Sequence, residues 1–480
     1  MLFPSPLLFT CNNKQSIINP VFTPAVLLLM MTMVVSVAGL AARILRTRYP
    51  AVPKLLQRRL ARDLHTMQLG ESQMSTVLRP GVKQLADMFT SHGHELRVAG
   101  GAVRDLLLGK VPQDLDFATT ATPDEMKAMF TEEDVRMINA GGEKHGTVTV
   151  RLEEENYECT TLRIDLVTDG RHAEVSFTKD WELDAGRRDL TINAMFLGLD
   201  GTVYDYFEGS KHLEERRVTF VGEADTRIKE DYLRILRYFR FYGRIAREPD
   251  SHCPHILESI RANTDGLDRI SGERIWTELQ KIIPGNFGGE LLIKMVELGV
   301  GKHVGLPETF NCENVRALYR RCEEVGLAPT DLHHMTLLAA GFSSEQECAK
   351  LIARVKCSKR EQEILLHIVW HRDAATLYTS KDIQDHLVDM VIGNKRNKDI
   401  SLLYTCELLK YCGHTKLLKE IQEWEMPKFP VNGLLVGEKG VPRKKIKFAM
   451  HDLLAEWKKS NYTLGTDELL DTLDVSRYND

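Results

Sequence analysis

The chain has 480 residues, 43% hydrophobic and 27% charged, with a formal net charge of −5. That length holds two or more compact units of ordinary globular composition. Nine cysteines contain no C-x-x-C pair, which excludes a zinc ribbon or a redox dithiol and fits reduced thiols in a cytosol-like or matrix compartment. The charge is uneven. Residues 1–62 carry no Asp or Glu and eight Lys or Arg, which leaves 55 basic residues against 68 acidic ones in the remainder. Any nucleic-acid contact by that acidic remainder must rest on local basic patches and be salt-sensitive.

The acid-free, basic leader reads as a mitochondrial transit peptide within a segment 1–75 that also serves as linker. Its apolar run at 26–42 also has the length of a membrane anchor, but a start at Met31 or Met33 gives a better presequence, and no stable membrane association is expected. Starts at Met67 or Met74 remove the leader and predict cytosolic and nuclear forms.

Residues 82–92 have helical spacing, and 95–101 read as a strand entering a Gly100-Gly101 turn. The stretch 99–117, AGGAVRDLLLGKVPQDLDF, continues through a helix at 102–108 to a strand with Asp114 and Asp116. Residues two apart on a strand share a face. Two carboxylates so placed suit a pair of divalent ions about 4 Å apart that clamp a phosphoryl transfer. A helix capped at Thr122 follows, then β-rich segments at 146–152 and 157–167 around a polar turn at 153–156. Glu158, in YECTTLR on a strand, and Asp165 are the two candidates for a third carboxylate. The segment 165–175, DLVTDGRHAEV, offers a hinge at Gly170 and a positive contact at Arg171, or a plain surface turn.

The segment 187–195, RRDLTINAM, supplies Arg188 for phosphate oxygens, and Asp189 and Asn193 for a ribose hydroxyl, unless Asp189 is simply a helix N-cap. In 230–241, EDYLRILRYFRF, Asp231 and Arg234 stand three apart, so a helix would place them on one face. The pair is either a surface salt bridge or a recognition pair, since a carboxylate accepting from an exocyclic amine, with a guanidinium donating to a ring nitrogen, matches cytosine and adenine. Uracil and guanine reverse both contacts. Arg237 and Arg240 follow at three-residue steps, and Leu233, Leu236, Phe239 and Phe241 are assigned to the core.

Strand–helix alternation ends near residue 205, and helical periodicity dominates beyond 215. Helices are expected at 228–245, 272–283, 289–298, 314–325, 344–355, 359–371, 400–411, 415–424 and 443–460. His367 and His371, one turn apart, lack an H-E-x-x-H glutamate and are assigned to a helix surface or core. His333-His334 and His451-Asp452 make no convincing metal set. Glu273 and Arg274, in ERIWTEL, brace helices. The basic clusters 395–398, 443–447 and Lys458-Lys459 are either RNA-phosphate contacts or solvated helix faces.

The ordered motifs at 99–117, 187–195 and 230–241 resemble those of the DNA-polymerase-β-like nucleotidyltransferases, specifically the group of class II tRNA CCA-adding enzymes and bacterial poly(A) polymerases. The resemblance implies an α+β class: a nucleotidyltransferase head of mixed sheet and helices at 76–215, a helical neck with a base-reading helix at 216–285, a helical body at 286–400 and a tRNA-binding helical tail at 401–480. It implies template-independent addition of C, C and A to the tRNA 3′ end from CTP and ATP with release of pyrophosphate, or alternatively poly(A) synthesis by the same head. Asp114 and Asp116 would hold Mg²⁺, with Glu158 completing the catalytic set. Gly100, Gly101, Arg104 and Arg188, joined by Arg237 and Arg240, would orient the triphosphate. Asp231 and Arg234 would read the base. A monomer or homodimer is expected.

Overall fold

The computed structural model describes residues 66–139, 146–168 and 173–478. The chain divides into units 1–68 and 69–480. A short strand, Thr66–Gln68, is the described part of the first, and all other elements belong to the second. The presequence and the starts at Met31 and Met33 lie outside the described residues, as do Gly170 and Arg171. No helix among the described residues is long and apolar enough to cross a membrane.

Helices α1 (Glu71–Val77) and α2 (Pro80–Ser91) precede the first strand of the main sheet described below. There follow β1 (Leu96–Ala99), α3 (Gly101–Leu107), β2 (Asp116–Thr119), α4 (Pro123–Glu132), β3 (Met137–Asn139), β4 (Thr147–Leu152) and β5 (Glu155–Thr161). Next come β6 (Arg163–Thr168), β7 (Ala173–Phe177), α5 (Trp181–Gly186), β8 (Met195–Gly198) and β9 (Thr202–Asp205). The sheet runs β9-β8-β1-β2-β5-β4-β3, and β6 and β7 form a separate antiparallel hairpin. Within the main sheet β2 and β5 pair in parallel while the other neighbours are antiparallel. Parallel neighbours need a crossover, supplied here by α4, β3 and β4.

Local chemistry explains these elements. Strand β4 buries Val148, Val150 and Leu152 and turns the intervening residues outward. Helix α4 starts at a capping box, in which Thr122 Oγ1 accepts from Glu125 N at 3.3 Å and Glu125 Oε2 accepts from Thr122 N at 2.7 Å. Phe117 and Tyr157, from the parallel pair, meet edge-to-face beneath the sheet.

Every named element after β9 is helical: α6 (Gly209–Glu214), α7 (Ala224–Glu230), α8 (Arg234–Ile245), α9 (Pro254–Ala262), α10 (Gly272–Ile282), α11 (Gly288–Glu297) and α12 (Val300–His303). Then come α13 (Cys312–Glu324), α14 (His334–Ala339), α15 (Glu345–Val355), α16 (Lys359–Ala375), α17 (Ser380–Val388), α18 (Lys398–Cys412), α19 (Thr415–Glu423), α20 (Gly433–Glu438), α21 (Ile446–Lys459) and α22 (Thr466–Asp471). One continuous core runs from Leu69 to Tyr404, and a separate cluster around Trp457 spans Val388 to Tyr478. All eight described cysteines are free thiols.

Several expected boundaries move. Asp114 precedes β2 rather than lying in it, although the exposed–buried–exposed pattern of Asp114, Leu115 and Asp116 keeps the strand period. The turn expected at 153–156 contracts to Glu153 and Glu154, both with positive φ, and Glu155 and Asn156 join β5. The strand expected at 157–167 breaks at Leu162, where the chain leaves the main sheet. The helix expected at 443–460 begins at Ile446, because three consecutive cations oppose the helix dipole at its N-terminus.

The largest correction concerns 228–245. That segment is two helices with Asp231 extended between them, φ −152° and ψ 105°. Asp231 Oδ1 accepts from Leu233 N at 3.1 Å, and the Asp231 carbonyl accepts from Arg234 N at 2.9 Å. A short acidic side chain that bonds its own downstream backbone favours a cap over a helix interior. Asp231 and Arg234 therefore do not share a helix face.

Candidate active site

Strand register brings Asp116 opposite Glu158 across the parallel β2–β5 pair. Asp114 stands in the same electrostatic cluster. Burial, then Glu158, then Asp114 push the Asp116 carboxyl above its ordinary value, against a smaller opposing pull from Arg188. Among the described residues, no hydrogen bond or ion pair engages any of the three carboxylates. Asp165, the competing third acid, stands apart from this set on β6, 3.7 Å from Arg163 Nε.

Unpaired, mutually repelling oxygen donors of this kind fit hard divalent cations, which take carboxylate oxygens. These three acids form a donor set that fits such ions.

The guanidinium of Arg188 lies beside the acids. It donates to Asp184 Oδ2 at 3.1 and 3.2 Å and to the Asn193 carbonyl at 3.3 Å, and it rests over Phe196. Asp184 is 1% exposed and also holds Arg187 Nε at 2.8 Å and Arg163 N at 3.1 Å. Burial pushes the Asp184 carboxyl up, but Arg188 and Arg187 outweigh it and hold the group below its ordinary value. Gly100 turns directly under Arg188. Its φ is +63°, and a Cβ there would lie 3.0 Å from Arg188 Nη1. Gly101 opens α3 with ordinary space around it.

A second wall carries four arginines, each held by a carboxylate. Arg104 is buried, donates to Asn193 Oδ1 at 2.5 Å and pairs with Asp105. Arg237 Nε donates to Asp189 Oδ2 at 2.6 Å, and Arg240 Nη1 to Glu278 Oε1 at 3.2 Å. Arg244 pairs with Asp105 at 2.9 Å. The ring of Phe241 carries Arg104, Arg237 and Arg240 at 4.8, 5.5 and 4.4 Å from its centre. Burial lowers the affinity of Arg104 and Arg240 for their protons, and nearby guanidiniums add to that effect. Crowded cations of this kind favour an incoming anion.

Asp189 is not a helix N-cap. Its Oδ1 accepts from Leu190 N at 2.8 Å and from Asn193 Nδ2 at 3.4 Å, and its Oδ2 is held by Arg237. Burial raises its carboxyl, and Arg237 overrides that to leave it below the ordinary range. Asp231 Oδ2 accepts from Arg274 Nη2 at 2.7 Å. Arg234 is buried and donates to Glu230 Oε2 at 2.5 Å, the Arg227 carbonyl at 2.9 Å and the Arg187 carbonyl at 2.9 Å.

Several of these contacts were not expected from the sequence. Phe241 serves as a platform as well as core, Glu278 anchors Arg240, and Asp184 holds Arg188. Asp184 carried a local signal, four residues before Arg188. Arg274 does brace helices, through Asp231. Among the basic clusters, Lys458 is held by Asp389 at 2.7 Å and Lys459 by Glu456 at 2.7 Å.

Residues 96–219 match the family model of the poly A polymerase head domain, and 254–312 match a probable RNA- and SrmB-binding site of polymerase A. The chain is 49% identical over 417 residues, 86% of its length and 95% of the relative's, to a protein of Danio rerio named CCA tRNA nucleotidyltransferase 1, mitochondrial. The chain belongs to the CCA tRNA nucleotidyltransferase family. Its fold is shared by the Bacillus stearothermophilus CCA-adding enzyme in complex with CTP (TM-score 0.61, 23% identity, covering 84% of this chain and 98% of that one). It is also shared by the Thermotoga maritima CCA-adding enzyme complexed with tRNA (TM-score 0.60, 20% identity, covering 86% and 99%). The family places this chain among the nucleotidyltransferases, with an α+β head followed by helices.

Proposed function

We propose that this chain adds C, C and A to the 3′ end of tRNA, using CTP and ATP and no nucleic-acid template, with release of pyrophosphate. The observation that carries the reading is the set Asp114, Asp116 and Glu158, engaged by no hydrogen bond or ion pair among the described residues, with Arg188 acting on Asp116, Arg104 joined to Arg188 through Asn193, and Arg237 and Arg240 sharing the Phe241 ring with Arg104. An attacking hydroxyl and a triphosphate need those two environments side by side.

Asp114 and Asp116 hold divalent cations, Mg²⁺ in this reading. Bound there, such ions lower the pKa of a 3′-hydroxyl and neutralise charge on the triphosphate. Glu158 completes that shell or accepts the hydroxyl proton. Gly100 keeps the backbone clear for Arg188, and Arg188 and Arg104 orient the triphosphate together with Gly101. Asp189 and Asn193 set the positions of Arg237 and Arg104, and a free lone pair on Asp189 remains for a ribose hydroxyl. Asp231, steadied by Arg274, accepts from the exocyclic amine of cytosine or adenine. Arg234 serves the ring nitrogen after exchanging one of its present partners.

The name of the Danio rerio relative supports a mitochondrial location, to which we add cytosolic and nuclear forms from downstream starts such as Met67. A monomer or homodimer, the tail 401–480 as the tRNA grip, and the segment bounds 76–215, 216–285 and 286–400 complete the reading.

The test supplies the purified chain with Mg²⁺ and a tRNA transcript ending at the nucleotide before CCA. Each labelled nucleotide is given singly, then CTP with ATP. Two additions with CTP and a third only when ATP joins are expected. Long ATP-only tails would instead establish the poly(A) alternative.

A further inference from the structure

Far along the chain from the acids, three histidines meet. His367 and His371 lie one turn apart on α16, and His386 comes from α17. Their ring centres are 4.6, 5.1 and 4.7 Å apart in pairs. One nitrogen from each falls within 4.8 Å of the others. The sequence showed only the i, i+4 pair, to which the fold adds a third imidazole.

We infer that His367, His371 and His386 form a binding site for a borderline divalent transition-metal ion, of which Zn²⁺ is the type, with a fourth position open to water. The geometry is the first support. Two imidazole nitrogens bound to one tetrahedral zinc at 2.0–2.1 Å must stand roughly 3.3 Å apart. His367 Nε2 and His386 Nε2 are 3.2 Å apart. A direct hydrogen bond explains that distance only if one ring carries its proton on Nε2 while the other presents a bare lone pair. A metal ion uses both lone pairs.

The chemistry of the donors is the second support. Imidazole nitrogen suits zinc and its neighbours, whereas Mg²⁺ and Ca²⁺ seek oxygen. This set therefore selects a different ion from the carboxylates of the head. Burial, reinforced for His367 and His386 by the neighbouring rings, holds all three imidazoles below their ordinary value, His386 at about 4. The surroundings are the rings of Tyr404, 5.8 Å from His367, and Tyr378, 5.9 Å from His386. Among the described residues, Arg396 is the charged group acting on His367, and it repels a proton and a metal ion alike.

A second cluster shows the contrast. His333, His334 and Glu361 also lie close together. There Glu361 Oε1 already accepts from Trp276 Nε1 at 3.0 Å, Gln280 Nε2 at 2.7 Å and His334 Nε2 at 2.9 Å. That carboxylate is committed to protein donors, so the cluster is a structural network. Among the described residues, the three-histidine set has only its internal polar contact between His367 Nε2 and His386 Nε2.

Bound metal would pin α17 to α16, so its effect reads out as stability as well as stoichiometry. The experiment strips the full chain with a chelator, then titrates Zn²⁺ alone against a chromophoric competitor, with Mg²⁺ as control. One zinc per chain is expected, with a rise in unfolding midpoint that Mg²⁺ does not reproduce. Asp116→Asn should retain the zinc, which separates this site from the head. His371→Gln, at one of the two half-buried members, should weaken binding by at least about tenfold, while His451→Gln should not. If the histidine variants misfold, the wild-type chain still decides. Its Co²⁺ form must give a tetrahedral nitrogen and oxygen spectrum, and zinc absorption spectroscopy must show imidazole scattering without sulfur. Sulfur ligation, or no zinc retained by the folded chain, would overturn the assignment.

Discussion

Gly100 and Gly101 look equivalent as a sequence, and the structure makes them opposites. Alanine at 100 must adopt φ +63°, a region L residues rarely enter. That costs about 1–3 kcal/mol. Its Cβ would also lie 3.0 Å from Arg188 Nη1 and 3.4 Å from the Asn193 carbonyl. Arg188 cannot simply swing away, since Asp184 and Asn193 pin it. Alanine at 101 meets nothing closer than Arg104 Nη2 at 3.6 Å, and it sits at the first position of α3. There it restricts the unfolded chain and stabilises by about 0.4–1 kcal/mol. The two variants should therefore differ by about 1.5–4 kcal/mol, which at roughly 1.2 °C per kcal/mol for a unit of this length is about 2–5 °C in Tm. Thermal and urea unfolding of Gly100→Ala and Gly101→Ala, side by side with wild type, measures this directly. Displacement of Arg188 should also lower kcat/KM for CTP at least about tenfold in Gly100→Ala, a loss of about 1.4 kcal/mol at the transition state. Equal midpoints for the two variants, or a less stable Gly101→Ala, would refute the reasoning.

The raised Asp116 carboxyl means the folded chain binds that proton more tightly than the unfolded one does. Stability therefore falls as pH rises from the ordinary value of 3.8 through the raised one, and stays lower at neutral pH. Metal-free Asp116→Asn should accordingly melt higher than wild type at pH 7 and lose that advantage in acid, while being inactive. An Asp116→Asn that melts lower at pH 7 would contradict the like-charge picture. Asp189→Ala leaves Arg237 without its 2.6 Å partner. Breaking a buried pair of this kind costs about 3–5 kcal/mol, and a double-mutant cycle with Arg237→Met should recover much of it; additive losses would show the pair to be uncoupled. Asp231→Ala should relax the preference for CTP and ATP over UTP and GTP more than it weakens tRNA binding. Arg274→Ala should act in the same direction more weakly, and unchanged selectivity in both would remove Asp231 from base reading.

Legibility in the sequence followed the range of the interaction. The D-x-D face, the glycine turn and the capped start of α4 rest on neighbours within a few residues, and local periodicity exposes them. Glu158 was legible by its setting before T-T-L-R, but its alignment with Asp116 is a property of the β2–β5 register, which no window along the chain contains. The segment 228–245 misled because its apolar spacing is continuous across a break that Asp231 creates by bonding backbone amides, and hydrophobic patterning is blind to that. Phe241 read as core and is core; its second use, beneath three guanidiniums, depends on α3 arriving from the head. Glu278 and Arg274 stood in a motif that announced a brace, and only packing shows which groups they brace. His386 gave no signal at all, being a lone histidine on a helix of its own.

The parallel pairing of β2 with β5 also bears on how the protein is made. Asp116 leaves the ribosome well before Glu158, and α4, β3 and β4 must fold in the interval before the two can stand opposite each other. Arg237 and Arg240 are made later still, and the Glu278 that holds Arg240 later again. Non-local pairings close slowly because loop entropy is spent before contacts repay it. The nascent head therefore passes through a period with its acids apart and its arginine wall incomplete. A chain that ends before Glu158 lacks the partner that stands opposite Asp116, and one that ends before Glu278 lacks the carboxylate that holds Arg240.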